Sequence, residues 1–357
     1  YSVAENTTSV GTVSATDADA NSTITYTLSG TDAAKFDINS ASGAISFASA
    51  PDFEAPADAD TDNAYSSNVL ATDGTNTDTE VIVVNVTDTN DESPVFTSAS
   101  SFTVAENQTA VGTLVATDAD ALEAITYTIT GGADSSSFTV TGSTLAFASA
   151  PDYEAQQSYV VVVTASDTNA TNSTTQEITV NLTNVNDIAP VFTSANTFSV
   201  AEGADAVATL TGSDVEGDPV SFSATLAGDD ASDFALTIAG VLTFVATPDF
   251  EAPADANTNN VYSITATITD GTNTSTQDIT VTVTDTNDNS PVLSVSTPYS
   301  VAENTTSVGT VSASDTDANS TITYTLSGTD ASDFAINSST GVTPFAATPD
   351  LEAAADA

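Results

Sequence analysis

The stretch Glu177-Ile178-Thr179-Val180-Asn181-Leu182 alternates polar and apolar side chains without a break. Successive side chains of an extended chain point to opposite faces, so this period of two predicts a half-buried β-strand with the three apolar residues facing a core. The stretch 23–28 (TITYTL) shows the same alternation. Turns rich in Gly, Asn and Asp separate several such stretches, and no helical periodicity of useful length occurs. The sequence therefore predicts an all-β chain built of antiparallel sandwiches.

Four copies of one pattern run along the chain. Each copy opens on Val-Ala-Glu and continues to an acidic turn and a Pro-Asp-x-Glu step, and the first three close on Asn-Asp before a proline. The openings are 101, 96 and 101 residues apart and lie at Val3, Val104, Val200 and Val301. Self-similarity at a fixed period indicates tandem domains. We predict four domains, called repeats 1 to 4: 1–94, 95–190, 191–291 and 292–357.

The fourth copy ends soon after its Pro-Asp-x-Glu step, and the sequence starts abruptly within a strand-like segment. A sandwich without its last strands has open edges. We therefore expect these 357 residues to be part of a longer chain, or repeat 4 to be completed by strands of a neighbour.

The charge of the chain is extreme, with one Lys+Arg against 49 Asp+Glu, no His and a formal net charge of −48. Nucleic acid is excluded as a partner because phosphate binding needs basic residues, and an anionic membrane surface repels the chain for the same reason. Without cysteine there is neither a disulfide nor a thiolate metal site. So many carboxylates favour a hard divalent cation, above all calcium. A solubilising or halophilic acidic surface is the alternative, and the placement of the acids must decide.

The acids recur at fixed places. In repeat 1 they are Glu5 after the first strand, Asp52 and Glu54 in the Pro-Asp-x-Glu step, and the exit linker around Asn90 and Asp91. The next repeat adds an Asp-x-Asp turn and an aspartate at the end of a late strand. Calcium takes six to eight oxygen ligands, which such groups supply if they converge at a domain junction. A single Asp-x-Asp is as readily an ordinary turn, because aspartate is a common turn residue.

These motifs resemble the cadherin repeats, and the likeness covers essentially the whole chain. The resemblance implies tandem seven-stranded Greek-key β-sandwiches of the cadherin/Ig-like type in a linear rod, with several Ca²⁺ ions at each inter-repeat junction. Carried over by position, the first junction uses Glu5, Asp52, Glu54, Asp88, Asn90, Asp91, Asp118, Asp120 and Asp167. The second uses Glu106, Asp152, Glu154, Asn186, Asp187, Asp214, Glu216 and Asp270. The third uses Glu202, Asp249, Glu251, Asp285, Asn287, Asp288, Asn289, Asp315 and Asp317. Asp17, Asp19 and Asp73 are expected to serve a junction with a preceding repeat.

The chain departs from the family pattern at several positions. The middle arginine of the family's Asp-Arg-Glu step is replaced by Phe53, Tyr153, Phe250 and Leu351 in the four copies. The second junction has Asn184 in place of an aspartate and Glu216 in the acidic turn, so we expect it to bind calcium more weakly. There is no tryptophan for the strand-swapping anchor of vertebrate cadherins. Bacterial cadherin-like surface proteins are the closer likeness.

Two functions remain, of which the resemblance favours the first and the sequence alone slightly favours the second. The first is calcium-dependent adhesion at the cell surface or outside the cell, with calcium, like chains, or a surface receptor or glycan as partners. The alternative is a structural subunit or spacer of an extracellular filament, sheath or surface layer. An enzyme is not predicted, because His and Cys are missing and the carboxylates recur at every junction instead of forming one pair. No apolar run is long enough for membrane insertion. The acidic inserts lie at 55–63 and 252–260. With Asp58, Asp60 and Asp62, they are interpreted as solvated acidic loops in preference to an additional ion site.

Overall fold

The computed structural model describes residues 1–19, 22–120, 124–168, 172–295 and 297–352. The chain forms two compact units, Tyr1–Val185 and a second that begins at Asn186. Among the described residues the helices are single 3-10 turns at Ala33–Lys35, Ser135–Ser137, Ala231–Asp233 and Ala331–Asp333. The predicted all-β fold is confirmed. The four repeat boundaries stay a prediction, and the end of repeat 4, 353–357, lies outside the described residues.

Repeat 1 is a sandwich of seven strands: β1 Ser2–Ala4, β2 Ser9–Thr12, β3 Thr25–Ser29, β4 Phe36–Ile38, β5 Ala44–Phe47, β6 Ala64–Thr72 and β7 Thr77–Thr87. One sheet has the order β1-β7-β6-β3 and the other β2-β5-β4. The first and last strands are parallel, with Ser2 opposite Asn85, while the remaining pairs are antiparallel. The parallel pair brings the beginning and the end of the repeat to the same edge of one sheet.

Repeat 2 has the same two sheets, β12-β15-β16-β9 and β10-β14-β13, and a short added pair, β8 with β11. Its strands are β8 Val95–Phe96, β9 Ser101–Ala105, β10 Ala110–Thr113, β11 Ala116–Thr117, β12 Thr126–Gly131, β13 Phe138–Thr141, β14 Thr144–Phe147, β15 Ser158–Ser166 and β16 Ser173–Thr183. The stretch 177–182 lies in β16, where Ile178 and Val180 are fully buried and Leu182 nearly so. The alternation therefore predicted both the strand and the buried face.

Repeat 3 repeats this arrangement in the second unit, with sheets β18-β25-β24-β21, β19-β23-β22 and β17-β20. Its strands are β17 Val191–Phe192, β18 Thr197–Ala201, β19 Ala206–Thr209, β20 Gly212–Ser213, β21 Ser221–Phe222, β22 Phe234–Leu236, β23 Val241–Phe244, β24 Val261–Thr269 and β25 Thr274–Thr284. Repeat 4 has two strand pairs, β26 with β28 and β27 with β29. Their bounds are β26 Val292–Ser294, β27 Ser307–Thr310, β28 Ser312–Ser314 and β29 Val342–Pro344.

Each of the first three repeats has its own apolar core centred on three rings. In repeat 1, Phe36 stacks on Phe47 at 4.6 Å between ring centres, and Tyr65 meets Phe47 edge to face at 5.1 Å. The same trio recurs in repeats 2 and 3 as Phe138, Phe147, Tyr159 and as Phe234, Phe244, Tyr262. Burial of each such ring stabilises its sandwich by about 1.5–3 kcal/mol, which gives each repeat a rigid frame for its polar end.

Candidate metal centres

The parallel pairing of first and last strands places the Val-Ala-Glu glutamate beside the exit linker. The N–H of Glu5, just after β1, donates to the carbonyl of Thr87 at the end of β7, at 3.1 Å. The corresponding bonds from Glu106 to Thr183 and from Glu202 to Thr284 measure 3.2 and 3.0 Å. Sequence positions 77 to 82 residues apart therefore meet at one end of each of these sandwiches.

The residue after this glutamate turns the chain through a left-handed conformation. Its φ is 58° at Asn6, 62° at Asn107, 78° at Gly203 and 64° at Asn304. Asparagine and glycine suit this conformation, which costs other residues more. In every copy the N–H of this residue donates to the carbonyl of the proline that opens the Pro-Asp-x-Glu step, at 2.8–3.0 Å. The turn thus brings the two acidic motifs of one repeat together.

The glutamate itself is buried and holds three chain segments together. Glu5 is 2% exposed. Its Oε2 accepts from the N–H of Phe53 at 2.7 Å, and its Oε1 accepts from the N–H of Thr89 in the linker at 2.8 Å. Two further glutamates repeat these bonds, Glu106 with Tyr153 and Val185, and Glu202 with Phe250 and Thr286. Because each carboxylate accepts backbone N–H groups on both oxygens, it fixes the linker to the Pro-Asp-x-Glu step.

Hydrogen bonds lower the pKa of Glu202 by more than its burial raises it. Loss of water disfavours the charged form of this carboxyl, but the N–H groups of Phe250 and Thr286 hold its pKa below the ordinary value. The residue is therefore charged in the folded protein near neutral pH.

The first junction gathers predicted ligands from repeats 1 and 2. Carboxylate oxygens of Glu5, Asp52 and Glu54 lie within 4.8 Å of one another, and so do those of Glu54, Asp88 and Asp120. Two charged carboxylates at that separation repel by about 3 kcal/mol at an effective dielectric constant near 20. Loss of solvent contact, together with the charges of Glu5 and Asp88, raises the pKa of Glu54 to about 7. The two groups share Glu54 and contain no cationic side chain.

Glu54 Oε1, Asp118 Oδ2 and Asp120 Oδ1 at this junction are buried and accept no hydrogen bond within the described part of the chain. The remaining carboxylate oxygens of the Asp-x-Asp turn are used. Asp118 Oδ1 accepts from the N–H of Asp120 at 3.2 Å, and Asp120 Oδ2 accepts from the N–H of Glu92 at 3.1 Å. The turn is thus held against the linker with one oxygen of each aspartate left for another partner.

The other predicted ligands of the first junction have protein partners. Asn172 donates from its side chain to Asn90 Oδ1 at 3.0 Å and from its backbone to Asp167 Oδ2 at 3.2 Å. Asp167 is 1% exposed. The exposed Asp91 accepts from the side-chain amide of Asn6. The structure therefore brings all nine predicted residues to the end of repeat 1 or the facing start of repeat 2.

The third junction, within the second unit, is built in the same way. Oxygens of Glu202, Asp249 and Glu251 lie within 4.8 Å of one another. The side-chain amide of Asn289 donates to three carboxylates at 2.9–3.1 Å: Glu251, Asp288 and Asp317. Its backbone N–H also donates to Asp317 Oδ2 at 3.0 Å, and the backbone N–H of Asp317 donates to Asp315 Oδ1 at 3.0 Å.

Two further predicted ligands of the third junction differ in burial. Asp285 accepts from Asn319 at 3.1 Å on Oδ2, and its Oδ1 is buried without a hydrogen-bond donor among the described residues. Asn287 is exposed. Asn289 is exposed as well, and its side chain is the one with the carboxylate contacts described above, while the role of Asn287 stays a prediction.

The predicted ligands of the second junction are divided between the two units, and their joint site stays a prediction. In the first unit, Asp152 Oδ1 accepts from the N–H groups of Glu154 and Ala155 at 2.9 and 3.1 Å. In the second, Glu216 accepts from the N–H groups of Asp187 and Ile188, the shortest bond being 2.8 Å.

The remaining second-unit residues of that set make contacts like those at the first junction. Asn273 donates from its side chain to Asn186 Oδ1 at 2.7 Å, as Asn172 does to Asn90. Burial raises the pKa of Asp270, but the N–H groups of Asn273 and Thr272 hold it below its ordinary value. Asp214 accepts from the N–H of Glu216 at 2.8 Å.

The three acids expected to serve a preceding repeat lie at the opposite end of repeat 1. Asp17 and Asp73 line one open pocket together with Asn76. Asp17 accepts from the N–H of Asp19 at 2.8 Å, and Asp73 accepts from the N–H of Asn76 at 2.6 Å. Their role in calcium binding stays a prediction.

Two kinds of residue that position the site were not predicted from the sequence. Asn172 and Asn273 fix the linker asparagines, and Thr89 and Thr286 add a hydroxyl bond to the buried glutamate at 3.2 Å. Both kinds recur at matching places in the repeats, so recurrence was the signal that could have found them.

These sites fit calcium. Every proposed ligand is an oxygen donor, which is the chemistry calcium prefers. Buried carboxylate oxygens without donors are costly unless a cation or a proton meets them. The whole chain offers only Lys35 as a basic side chain, and no ion pair with it forms part of the junctions described above.

Comparison with known proteins identifies the repeats. Residues 1–89 and 100–183 match the protein family described as Cadherin domain. Repeats 1 and 2 are cadherin domains. Over 198 residues it is 39% identical to Protocadherin Fat 4 of Mus musculus, which covers 52% of this chain and 4% of that protein. It is 40% identical over 198 residues to Cadherin EGF LAG seven-pass G-type receptor 2 of Homo sapiens, covering 52% of this chain and 6% of the relative. The chain thus spans a small fraction of the length of these curated relatives.

Solved structures share the fold over nearly the whole chain. One described as "Protocadherin gammaB7 EC3-6 cis-dimer structure" superposes with a TM-score of 0.69 at 24% identity, covering 99% of this chain and 92% of that one. Another, "Protocadherin Gamma B2 extracellular cadherin domains 1-5", has a TM-score of 0.66 at 24% identity, with 98% and 73% covered. The predicted tandem cadherin-type sandwiches are confirmed.

Cadherin repeats are not catalytic domains, in agreement with the prediction that these repeats do not form an enzyme. In the described part of the chain, none of the helices has the length and apolar character needed to cross a membrane.

Proposed function

We propose that this chain is part of a calcium-stabilised cadherin ectodomain that acts in adhesion outside the cell. The observation that carries the proposal is that two sets of three acidic residues at the first junction share Glu54. Glu54 Oε1 and Asp120 Oδ1 in these sets are buried and have no hydrogen-bond donor among the described residues. Calcium bound there joins carboxylates of repeat 1 to Asp120 of repeat 2.

The charge of the chain supports a bound cation. With a formal net charge of −48 and one basic side chain, the protein cannot neutralise these groups with its own cationic residues. Calcium tolerates the crowded, irregular carboxylate sets seen here, whereas magnesium requires near-ideal octahedral geometry and retains its water. We therefore expect calcium to stabilise the junctions and magnesium to do so far less, with dissociation constants of about 10⁻⁴–10⁻³ M as in other extracellular modules.

Adhesion through like chains is the partner proposal. It rests on membership of the repeats in the cadherin family and on the solved protocadherin described as a cis-dimer. No surface feature of the described residues favours the alternative function, a purely structural spacer, over adhesion. Extracellular placement is part of the same proposal, since calcium at about 10⁻³ M is available there.

The first experiment measures thermal unfolding of the whole chain in calcium, in magnesium and after removal of divalent ions. We expect calcium to raise the unfolding midpoint, because binding to the folded state alone stabilises it. Glu54→Gln and Glu251→Gln should reduce the rise, while Glu80→Gln, at an exposed position on β7, should leave it unchanged. Equal midpoints in calcium and in chelator would show that the acids are only a solvated surface.

Adhesion is tested separately by coating beads with the chain and measuring their aggregation. Calcium-dependent aggregation of coated beads, lost in the Glu54→Gln protein, supports contact between like chains. If calcium stabilises the protein but the beads stay dispersed at saturating calcium, the spacer function replaces adhesion.

A further inference from the structure

The inserts of repeats 1 and 3 are two copies of one loop with different chemistry. Each is fixed to its sandwich by the same contacts. The N–H of Ala57 donates to the hydroxyl of Tyr65 at 3.0 Å, and the N–H of Ala59 donates to the buried Asp32 at 2.9 Å. In repeat 3 the corresponding bonds join Ala254 to Tyr262 and Ala256 to Asp230, at 3.3 and 2.8 Å. The two backbones are therefore held alike.

The side chains of the two loops differ at two positions. Repeat 1 has Asp58-Ala59-Asp60-Thr61-Asp62-Asn63, and repeat 3 has Asp255-Ala256-Asn257-Thr258-Asn259-Asn260. The repeat 1 loop thus has three alternate carboxylates where repeat 3 has one carboxylate and two amides. Oxygens of Asp58, Asp60 and Asp62 lie within 4.8 Å of one another.

Burial separates Asp58 from an ordinary acidic loop residue. The sequence predicted a solvated loop, which is correct for the exposed Asp60 and Asp62 but wrong for Asp58, which is only 5% exposed. Asp58 Oδ2 accepts from the N–H of Asp62 at 2.9 Å. Asp58 Oδ1 is buried and has no hydrogen-bond donor within the described residues. A buried charged oxygen in this state requires another partner.

In repeat 3 that requirement is met by the loop itself. Asp255 is 2% exposed, and both of its oxygens accept backbone N–H groups. Oδ2 receives the N–H of Asn259 at 2.8 Å, and Oδ1 receives the N–H of Asn260 at 3.1 Å. Backbone N–H groups of its own loop thus meet both oxygens of Asp255. In repeat 1 the N–H of Asp62 closes the loop on Asp58 Oδ2, while Asp58 Oδ1 has no donor at hydrogen-bonding distance among the described residues.

We propose that the insert of repeat 1 binds a calcium ion of its own through Asp58, Asp60 and Asp62. Carboxylates at the first, third and fifth positions of a loop, followed by a residue with positive φ at the sixth, form the start of known calcium-binding loops. Asn63 occupies the sixth position with φ of 63°. None of these residues belongs to the predicted junction sets, so this ion is additional to any ion at the junctions.

The decisive experiment counts calcium ions bound per chain by equilibrium dialysis of the full chain. The variant Asp60→Asn/Asp62→Asn gives repeat 1 the side chains that repeat 3 already has at these positions, so its fold is expected to be kept and is checked by circular dichroism. We expect it to bind one calcium ion fewer than the natural chain. An unchanged count overturns the proposal.

The reciprocal variant Asn257→Asp/Asn259→Asp tests whether the two carboxylates are sufficient. It should bind one calcium ion more than the natural chain, and an unchanged count would show that they are not the deciding groups. Terbium luminescence excited through tyrosine gives a local readout, because Tyr65 and Tyr262 each contact their loop. The signal should fall in the first variant and rise in the second. It should persist in Glu54→Gln, which separates this site from the first junction.

Discussion

The side-chain amide of Asn172 donates to Asn90 Oδ1 at 3.0 Å, which joins a loop of repeat 2 to the linker that leaves repeat 1. The same asparagine donates its backbone N–H to Asp167 at 3.2 Å. One residue therefore orients two predicted ligands of the first junction, although it is not itself a proposed ligand. Asn273 makes the corresponding contact with Asn186 in the second unit.

The first prediction concerns this contact. Asn172→Ala should weaken calcium binding at the first junction about fivefold, because a net hydrogen bond contributes about 1 kcal/mol to the arrangement of Asn90. Glu92 lies in the same linker and is exposed, so cleavage after it by a glutamate-specific protease reports on this junction alone. The calcium concentration that protects this bond, read by mass spectrometry, should rise.

The matched control is Asn76→Ala. Asn76 follows Asp73 in repeat 1 as Asn273 follows Asp270 in repeat 3, but it lies at the other end of repeat 1 from the linker. In Asn76→Ala, the calcium concentration that protects the bond after Glu92 from cleavage should equal that of the natural chain. Equal midpoints for Asn172→Ala and Asn76→Ala would contradict the positioning role.

The fold and the acidic sets were predictable because they depend on local patterns that recur. Alternation located β16 and its buried Ile178, and the Val-Ala-Glu repeat located the buried glutamates. Recurrence could have marked Asn172 and Asn273 as residues of interest, but not their partners, because the contact between Asn172 and Asn90 depends on how two sandwiches meet. Burial of Asp58 was missed for a similar reason: loop composition predicts solvent exposure, whereas Asp32 and Tyr65 fix the loop against the sandwich.

The second prediction concerns the buried glutamate of repeat 3. In Glu202→Gln one carboxylate oxygen becomes an NH₂ group that faces a backbone N–H, either that of Phe250 or that of Thr286. We expect the free energy of unfolding to fall by about 1–3 kcal/mol even without calcium, because a buried donor loses its acceptor. Denaturant unfolding in chelator measures this loss.

Glu303→Gln provides the comparison for Glu202→Gln. Glu303 occupies the same motif position in repeat 4, but it is exposed and accepts one bond, from Leu351, at 3.1 Å. Its replacement should change stability by less than about 0.5 kcal/mol, as for most surface substitutions. A similar loss in both variants would mean that burial of the glutamate is not the cause.

The third prediction is a pH dependence of the calcium-free protein. Burial and the neighbouring carboxylates raise the pKa of Glu54 from its ordinary 4.5 to about 7 in the folded state. Between these values the folded chain binds more protons than the unfolded chain at this residue, so stability falls as pH rises from 4.5 through about 7. Glu54→Gln lacks this titration. The unfolding midpoint of the natural chain relative to the variant should therefore decrease across that range, and parallel curves would contradict the raised pKa.

The fourth prediction tests the left-handed turn after the buried glutamate. Asn6→Ala and Asn6→Gly both remove the side-chain bond to Asp91, so their difference isolates the backbone at φ of 58°. The alanine variant should be less stable by about 1 kcal/mol, because its Cβ crowds the following carbonyl oxygen in this conformation. Denaturant unfolding of the two proteins measures the difference. At Asn85, exposed within β7, the same two replacements should have the opposite order, since glycine in a strand costs about 0.5–1 kcal/mol relative to alanine. If glycine is the less stable replacement at both positions, the left-handed turn does not determine the residue at position 6.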